Sequence, residues 1–371
     1  MTRYLRLMFK GLFLSVFLFG CSGEVITKFD DLTSIEGYKN VILMIGDGMG
    51  ENHIKVTEAY NERPSFIRQE AQISGWMQTY SLNSDITDSA ASATAMSTGL
   101  KVPNGNIAYK SGQKLTTMSE FAKAYGKGVG LIATEILSGA TPAAFSAHNR
   151  SRRNSEQIVK EQFESEVDLF IGAGKSYYDL QIQAMDDNNL SYYTNFDDLS
   201  SDIDNVASGG HPFTRLFAAF DTISVNETTS TSPTLADASI NAIRCLDYLY
   251  DNKGFFMMIE GSHIDKRAHD NDLQGMIEQL NGFNQAVESV VEWAKQDGET
   301  FVMVTADHET GGLIYDGQSK EQLSDALFTR TTHSGVDVPF YLYSTTNLSF
   351  INQGETFDNT DVAKFFRALI R

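Results

Sequence analysis

Cysteine is nearly missing from this chain: Cys21 and Cys245 are the only two in 371 residues. Cys245 lies in an apolar, helix-like stretch and reads as a buried thiol, so no disulfide framework supports the fold. Positive charge is also scarce, with 29 Lys and Arg against 48 Asp and Glu and a formal net charge of −19. That balance excludes long-range attraction to nucleic acid or to an anionic membrane surface. If such a chain handles phosphate, the attraction must come from local cations, either metal ions or a placed arginine. The N-terminal apolar run Gly11 to Gly20 is too short to span a bilayer, and there is no internal repeat. The length allows a large core in one or more domains.

The basic residues Arg3, Arg6 and Lys10 ahead of that run make residues 1–20 a secretory signal. Leu18-Phe19-Gly20-Cys21 resembles a bacterial lipobox, which implies cleavage before Cys21 and a lipid on its thiol. Ser22 follows in place of the Asp that signals inner-membrane retention, so the expectation is an exported, periplasmic protein anchored to the outer membrane. Residues 21–39 read as a spacer, and 40–371 as a single domain.

Five short apolar runs, at residues 41–45, 128–133, 168–172, 255–260 and 301–307, read as buried strands. Helical patterns lie near 53–59, 117–125, 154–165, 236–251 and 276–296. Strand and helix in alternation predict an α/β three-layer sandwich with a large, mostly parallel central sheet and helices on both faces. Residues 174–235 are polar and turn-rich and read as an insertion on the rim.

Chemistry-bearing residues recur at the ends of these runs. Asp47, Glu260 and the pair Asp307-His308 each follow a strand, at the carboxyl edge where open α/β sheets bind ligands. Asp265 and His269 stand at i and i+4, on one face if the chain turns helical, and His333 offers a third imidazole. Asp and His suit zinc, whereas Glu, Asp and Thr oxygens suit magnesium. Ser89 opens a helix of small residues, Ser89-Ala90-Ala91-Ser92-Ala93-Thr94-Ala95, with Asp88 as its N-cap. A helix N-terminus presents free N–H groups to an anion reacting there.

Taken together, Gly46-Asp47-Gly48-Met49-Gly50, Thr87 to Ala95, Ala140-Thr141-Pro142-Ala143-Ala144, Glu260-Gly261 with Ile264-Asp265-Lys266 and His269, Thr305 to Gly312, and His333-Ser334-Gly335 resemble the alkaline phosphatase family. They occur in the family's order over about residues 41–343. The resemblance implies hydrolysis of phosphate monoesters through a phosphoserine on Ser89, with two zinc ions and one magnesium. Asp265, His269 and His333 look like ligands of one zinc, and Asp47, Asp307 and His308 of the other. Thr141 and Glu260 would hold magnesium, with Asp47 bridging to it. Arg152 aligns with the arginine that grips phosphate, although Arg150 and Arg153 are close by. The family is commonly dimeric, which leaves room for a homodimer here.

One position departs from the family. Gly139 stands where relatives carry Asp or His, so Lys266 is expected to lack the counter-charge it has in Asp-bearing relatives and to be free for phosphate. The remaining histidines, His53, His148, His211 and His263, match no ligand position; His53 and His211 read as surface or satisfied polar groups. Two alternatives stand beside the monoesterase: a related phosphodiesterase or sulfatase with the same metal core, and a non-catalytic lipoprotein that binds phosphate or metal. The first usually carries threonine, or a modified cysteine or serine, as nucleophile and lacks the arginine, and the second would be expected to have lost Ser89 or a zinc ligand.

Overall fold

The structure is a computed structural model that describes residues 37–210, 215–346, 348 and 351–370. The signal and Cys21, like His211, lie outside the described residues.

Ten strands form one sheet in the order Thr356–Asp358, Ile73–Gln78, Val338–Tyr343, Thr300–Thr305, Asn40–Gly46, Phe255–Gly261, Gly128–Ile136, Leu169–Ala173, Leu216–Phe220 and Ser191–Tyr193. Every neighbouring pair is parallel except the two made by Val338–Tyr343, which runs against both its neighbours. The central strands are apolar without alternation because both faces are covered. Consecutive residues show this directly. Phe255 meets Trp293 of the Leu273–Asp297 helix on one face, while Phe256 meets Phe145 and Phe366 on the other.

Strand glycines allow the same closeness. A Cβ at Gly128 would stand 2.4 Å from the Tyr250 ring, and one at Gly130 would stand 2.9 Å from Leu246. These absences of side chain let the Leu235–Leu249 helix and its C-cap Tyr250 settle onto the sheet.

Each of the five strands and five helices read from the sequence has its counterpart here. Five strands of this sheet, the four strands of the two short pairs outside it, and helices such as Phe196–Ala207 and the closing Asn359–Ile370 were not anticipated. The polar segment 174–235 is more than rim loops: it contributes Ser191–Tyr193 and the fully buried Leu216–Phe220, which complete one end of the sheet. Cys245 is buried, and burial pushes its thiol up to about 12, so it is an inert core group.

Candidate active site

Parallel register gathers the site. Ile45 pairs with Glu260 and with Thr305, and Glu260 pairs in turn with Ala133. The residues that follow these strands, Asp47 and Asp307, therefore emerge at one edge beside Glu260. Asp47 is held there by its N–H donating to the Gly261 carbonyl at 3.2 Å. His263–His269 does form a helix, which sets Asp265 Oδ1 3.3 Å from His269 Nε2. His333 arrives by a separate route. The short antiparallel pair Glu309–Thr310 and His333–Ser334 places His333 opposite Thr310, two residues from His308.

The three rings are all oriented by their Nδ1 atoms. His269 Nδ1 lies 2.6 Å from the Thr331 carbonyl and His333 Nδ1 2.9 Å from the Thr87 carbonyl, so each must carry its proton there. Thr310 Oγ1 donates to Asp265 and stands 3.2 Å from His308 Nδ1, which makes that nitrogen a donor too. Every Nε2 lone pair then faces the site. His269 and His333 oppose each other there at 3.1 Å, with Asp265 Oδ1 at 3.3 and 3.6 Å. His308 Nε2 stands 3.1 Å from Asp307 Oδ2, 3.6 Å from Asp47 Oδ1 and 3.2 Å from Ser89 Oγ. Burial and the neighbouring His333 hold His308 well below the usual histidine range, so it is neutral.

Lone pairs that converge with no proton between them call for a cation. The candidate ligand atoms of Asp265, His269 and His333 lie within 4.8 Å of one another, and so do those of Asp47, Asp265 and His308. Asp265 thus borders both groups, an adjacency not foreseen from spacing. The oxygen-rich side makes the same demand. Among the described residues Asp47 Oδ1, Asp307 Oδ2, Thr141 Oγ1 and both Glu260 carboxylate oxygens are buried with no hydrogen-bond partner. Burial, then the nearby Asp307, pushes Asp47 well up; burial, then Glu135, pushes Glu260 up to about 8. Buried carboxylates in this number stay ionised at neutral pH only beside cations. The residues therefore fit two nitrogen-and-oxygen sites and one all-oxygen site.

Residues 38–326 match the model of the family described as alkaline phosphatase. The chain belongs to the alkaline phosphatase family. It is 37% identical over 299 residues to alkaline phosphatase 4 of Bacillus subtilis, an alignment that covers 74% of this chain and 62% of that protein. It is 30% identical over 370 residues to the alkaline phosphatase of Escherichia coli, covering 83% and 78%. The solved alkaline phosphatase of the Antarctic bacterium TAB5 superposes with a TM-score of 0.76 at 30% identity over 90% of this chain and 99% of that one. A variant of the TAB5 enzyme has been solved with magnesium bound.

Within this alkaline phosphatase fold, Ser89 is the first residue of the Ser89–Thr98 helix, and every residue of that helix is buried. Asp88 caps it by accepting from the Ala91 N–H at 3.0 Å. The same carboxylate accepts from the Gly105 N–H and holds Arg152 Nη1 at 3.3 Å. Arg150 turns away instead, onto the Tyr109 ring and hydroxyl. Among the three arginines, Arg152 is thus the one tied beside Ser89.

Two expectations need correction. Lys266 is not without a counter-charge: its Nζ lies 2.7 Å from Glu135 Oε2. Glu135 is the last residue but one of the strand Gly128–Ile136 and showed no sequence signal beyond being an acid near the carboxyl edge. His53 is not a surface group but is fully buried, with Nδ1 accepting from the Gly50 N–H and Nε2 without a hydrogen-bond partner among the described residues. Thr310, which orients both His308 and Asp265, was also missed as a functional residue. Its place at i+2 from His308 was the available clue, since alternate residues of an extended segment share a side.

Proposed function

We propose that this chain is a metal-dependent phosphomonoesterase with Ser89 as nucleophile, two zinc ions and one magnesium. The observation that supports it most is the convergence of three imidazole lone pairs and three buried carboxylates beside the Ser89 hydroxyl. In this reading Asp265, His269 and His333 hold one zinc, and Asp47, Asp307 and His308 the other. Thr141, Glu260 and Asp47 hold magnesium. Bound zinc would supply Lewis acidity, favouring the alkoxide of a coordinated hydroxyl and lowering the pKa of bound water.

The chain's own residues carry the remaining work. Asp88 fixes Arg152 so that the rest of its planar fork can take two phosphoryl oxygens. Ser89 Oγ attacks phosphorus, forming the Ser–O–P bond as the ester oxygen leaves with its electron pair. Water then attacks the phosphoserine, releasing inorganic phosphate and restoring the hydroxyl. The helix N-terminus behind Ser89 favours the anion throughout. Glycines around Asp47 keep the floor bare: a Cβ at Gly48, where φ is +74°, would stand 2.8 Å from Asp265 Cα.

Hydrolysis of p-nitrophenyl phosphate tests the assignment. Activity should vanish on chelation, return with zinc and magnesium, and fall by several orders of magnitude in Ser89→Ala. A folded, zinc-loaded protein with no monoesterase activity overturns it. We also infer export with a lipid on Cys21, supported by the basic start, the apolar run and the lipobox-like residues; unchanged membrane association in Cys21→Ala would refute it.

A further inference from the structure

The Gly128–Ile136 strand changes register against Leu169–Ala173: Ile132 faces Ile171, but Ile136 faces Ala173, so the first strand fits four steps against two. A bulge of this kind at a sheet edge turns side chains out of the regular alternation. Here it lies within residues 132–136, where Glu135 sits. Its carboxylate occupies the space in front of Gly139, so completely that a Cβ at Gly139 would stand 2.0 Å from Glu135 Oε1 and 2.6 Å from its Cδ. Any side chain at 139 would have to evict it. Glu135 Oε2 in turn holds Lys266 Nζ at 2.7 Å; the glutamate side chain is 15% exposed and the lysine 48%. One end of this arrangement is thus inside the site and the other at its mouth.

The interior end borders the oxygen-rich pocket. Glu260 and Thr141 are fully buried, their side-chain oxygens without partners among the described residues, and the Glu135 charge is felt at Glu260, Asp47 and Arg152. Magnesium keeps several of its waters and takes few protein ligands, so carboxylates beyond its direct ligands contribute to holding it.

We propose that Glu135, in the space Gly139 leaves open, is a positioning residue that strengthens magnesium binding at Thr141 and Glu260 and neutralises Lys266 at the mouth of the site. It rests on the magnesium assignment made above. Two consequences follow. Removing the Glu135 charge weakens magnesium and leaves zinc alone. The same change frees Lys266, so product phosphate binds more tightly.

The test is calorimetric titration of magnesium into the zinc-loaded full chain, with inhibition by inorganic phosphate as a second readout. Glu135→Gln should weaken magnesium by about tenfold or more, the scale for groups that support metal ligands. Its inhibition constant for phosphate should fall roughly two- to fivefold, the worth of one exposed charge contact, and adding Lys266→Met should abolish that gain. Gly139→Asp alone should displace the Glu135 carboxylate from its place, and Glu135→Ala with Gly139→Asp should recover magnesium affinity. Wild-type magnesium affinity and phosphate inhibition in Glu135→Gln would overturn the proposal while leaving the phosphatase reading intact. If Glu135→Gln does not fold, failure of the double variant to recover magnesium affinity overturns it equally. No magnesium site in the zinc-loaded wild type would sink the magnesium assignment, and this proposal with it.

Discussion

The two ends of the candidate site are held in opposite ways. At the imidazole end, His269, His333 and His308 are each fixed through Nδ1, by two main-chain carbonyls and the Thr310 hydroxyl. At the carboxylate end, both oxygens of Glu260, Oδ1 of Asp47 and the Thr141 hydroxyl have no partner among the described residues. The first end is preorganised by the fold, so metal affinity there depends on hydrogen bonds already made. The second is under electrostatic load, so there a cation supplies stability that the protein lacks.

Metal removal should expose that contrast most strongly. At metal concentrations a hundred to a thousand times Kd, chelation should cost about 3–4 kcal/mol of unfolding free energy for each site emptied, read by urea titration with and without metal. Hydrogen exchange should rise first at the carboxyl ends of Gly128–Ile136 and Phe255–Gly261, while the paired segment His333–Ser334 stays protected. Equal loss of protection at both ends would break the comparison.

Glu260→Gln sharpens it by changing sign. In the stripped protein near neutral pH the variant should be more stable than wild type by about 2 kcal/mol, because folding no longer has to protonate a buried carboxylate. In the loaded protein it should be less stable. Wild-type Glu260 is raised from an ordinary value of 4.5 to about 8, by burial first and then Glu135. A carboxyl raised by folding favours the protonated native state. The stripped wild type should therefore lose stability as pH climbs from about 4.5 to about 8, and the variant should lose less. Parallel pH curves would count against the load.

A smaller effect is expected of Thr310→Val. It keeps the shape but deletes the hydroxyl that donates to Asp265 and accepts from His308. Zinc affinity should fall by about tenfold with magnesium affinity unchanged, since only the imidazole end is touched. A loss in both metals would show that the ends are not separately held.

How far the sequence revealed this differs between the ends as well. Asp47, Glu260 and Asp307 were legible because each stands at or just past the carboxyl end of an apolar run and parallel register does the rest. His269 was legible from its i+4 spacing to Asp265. The carbonyls of Thr87 and Thr331 were not, because any residue type supplies a carbonyl and only the fold aims it. Glu135 was hidden by the bulge, which leaves no residue signature and changes where a strand residue points. Among the strands, Val338–Tyr343 contains Pro339, and Ile73–Gln78 contains Gly75, whose missing side chain admits the Glu355 carbonyl and the Phe340 ring. Such residues read as breaks until the neighbour that needs them is known.

The least costly perturbation concerns a histidine outside the site, and it tests whether imidazole state follows from what Nε2 faces. His148 has an acceptor at each nitrogen: the Ala108 carbonyl 3.1 Å from Nδ1 and Glu120 Oε1 2.9 Å from Nε2. Burial opposes its charge, but the contacts with Glu120 and Ala108 outweigh that and raise it above the ordinary 6.5. Here a proton fills the place that a metal is proposed to fill beside His269 and His333. A histidine raised by folding contributes stability that is full below the unfolded value and is lost as pH rises through the folded one. Glu120 is half-exposed at its side chain, so the contribution should be below about 1 kcal/mol. Glu120→Gln removes the charge yet keeps an N3 residue able to accept from the Thr117 N–H, so the helix cap survives. Urea midpoints at pH 6 and pH 9 should fall further for wild type than for this variant. If both fall equally, His148 carries no proton of consequence, and acceptor geometry alone does not decide which rings bind a proton and which await a metal.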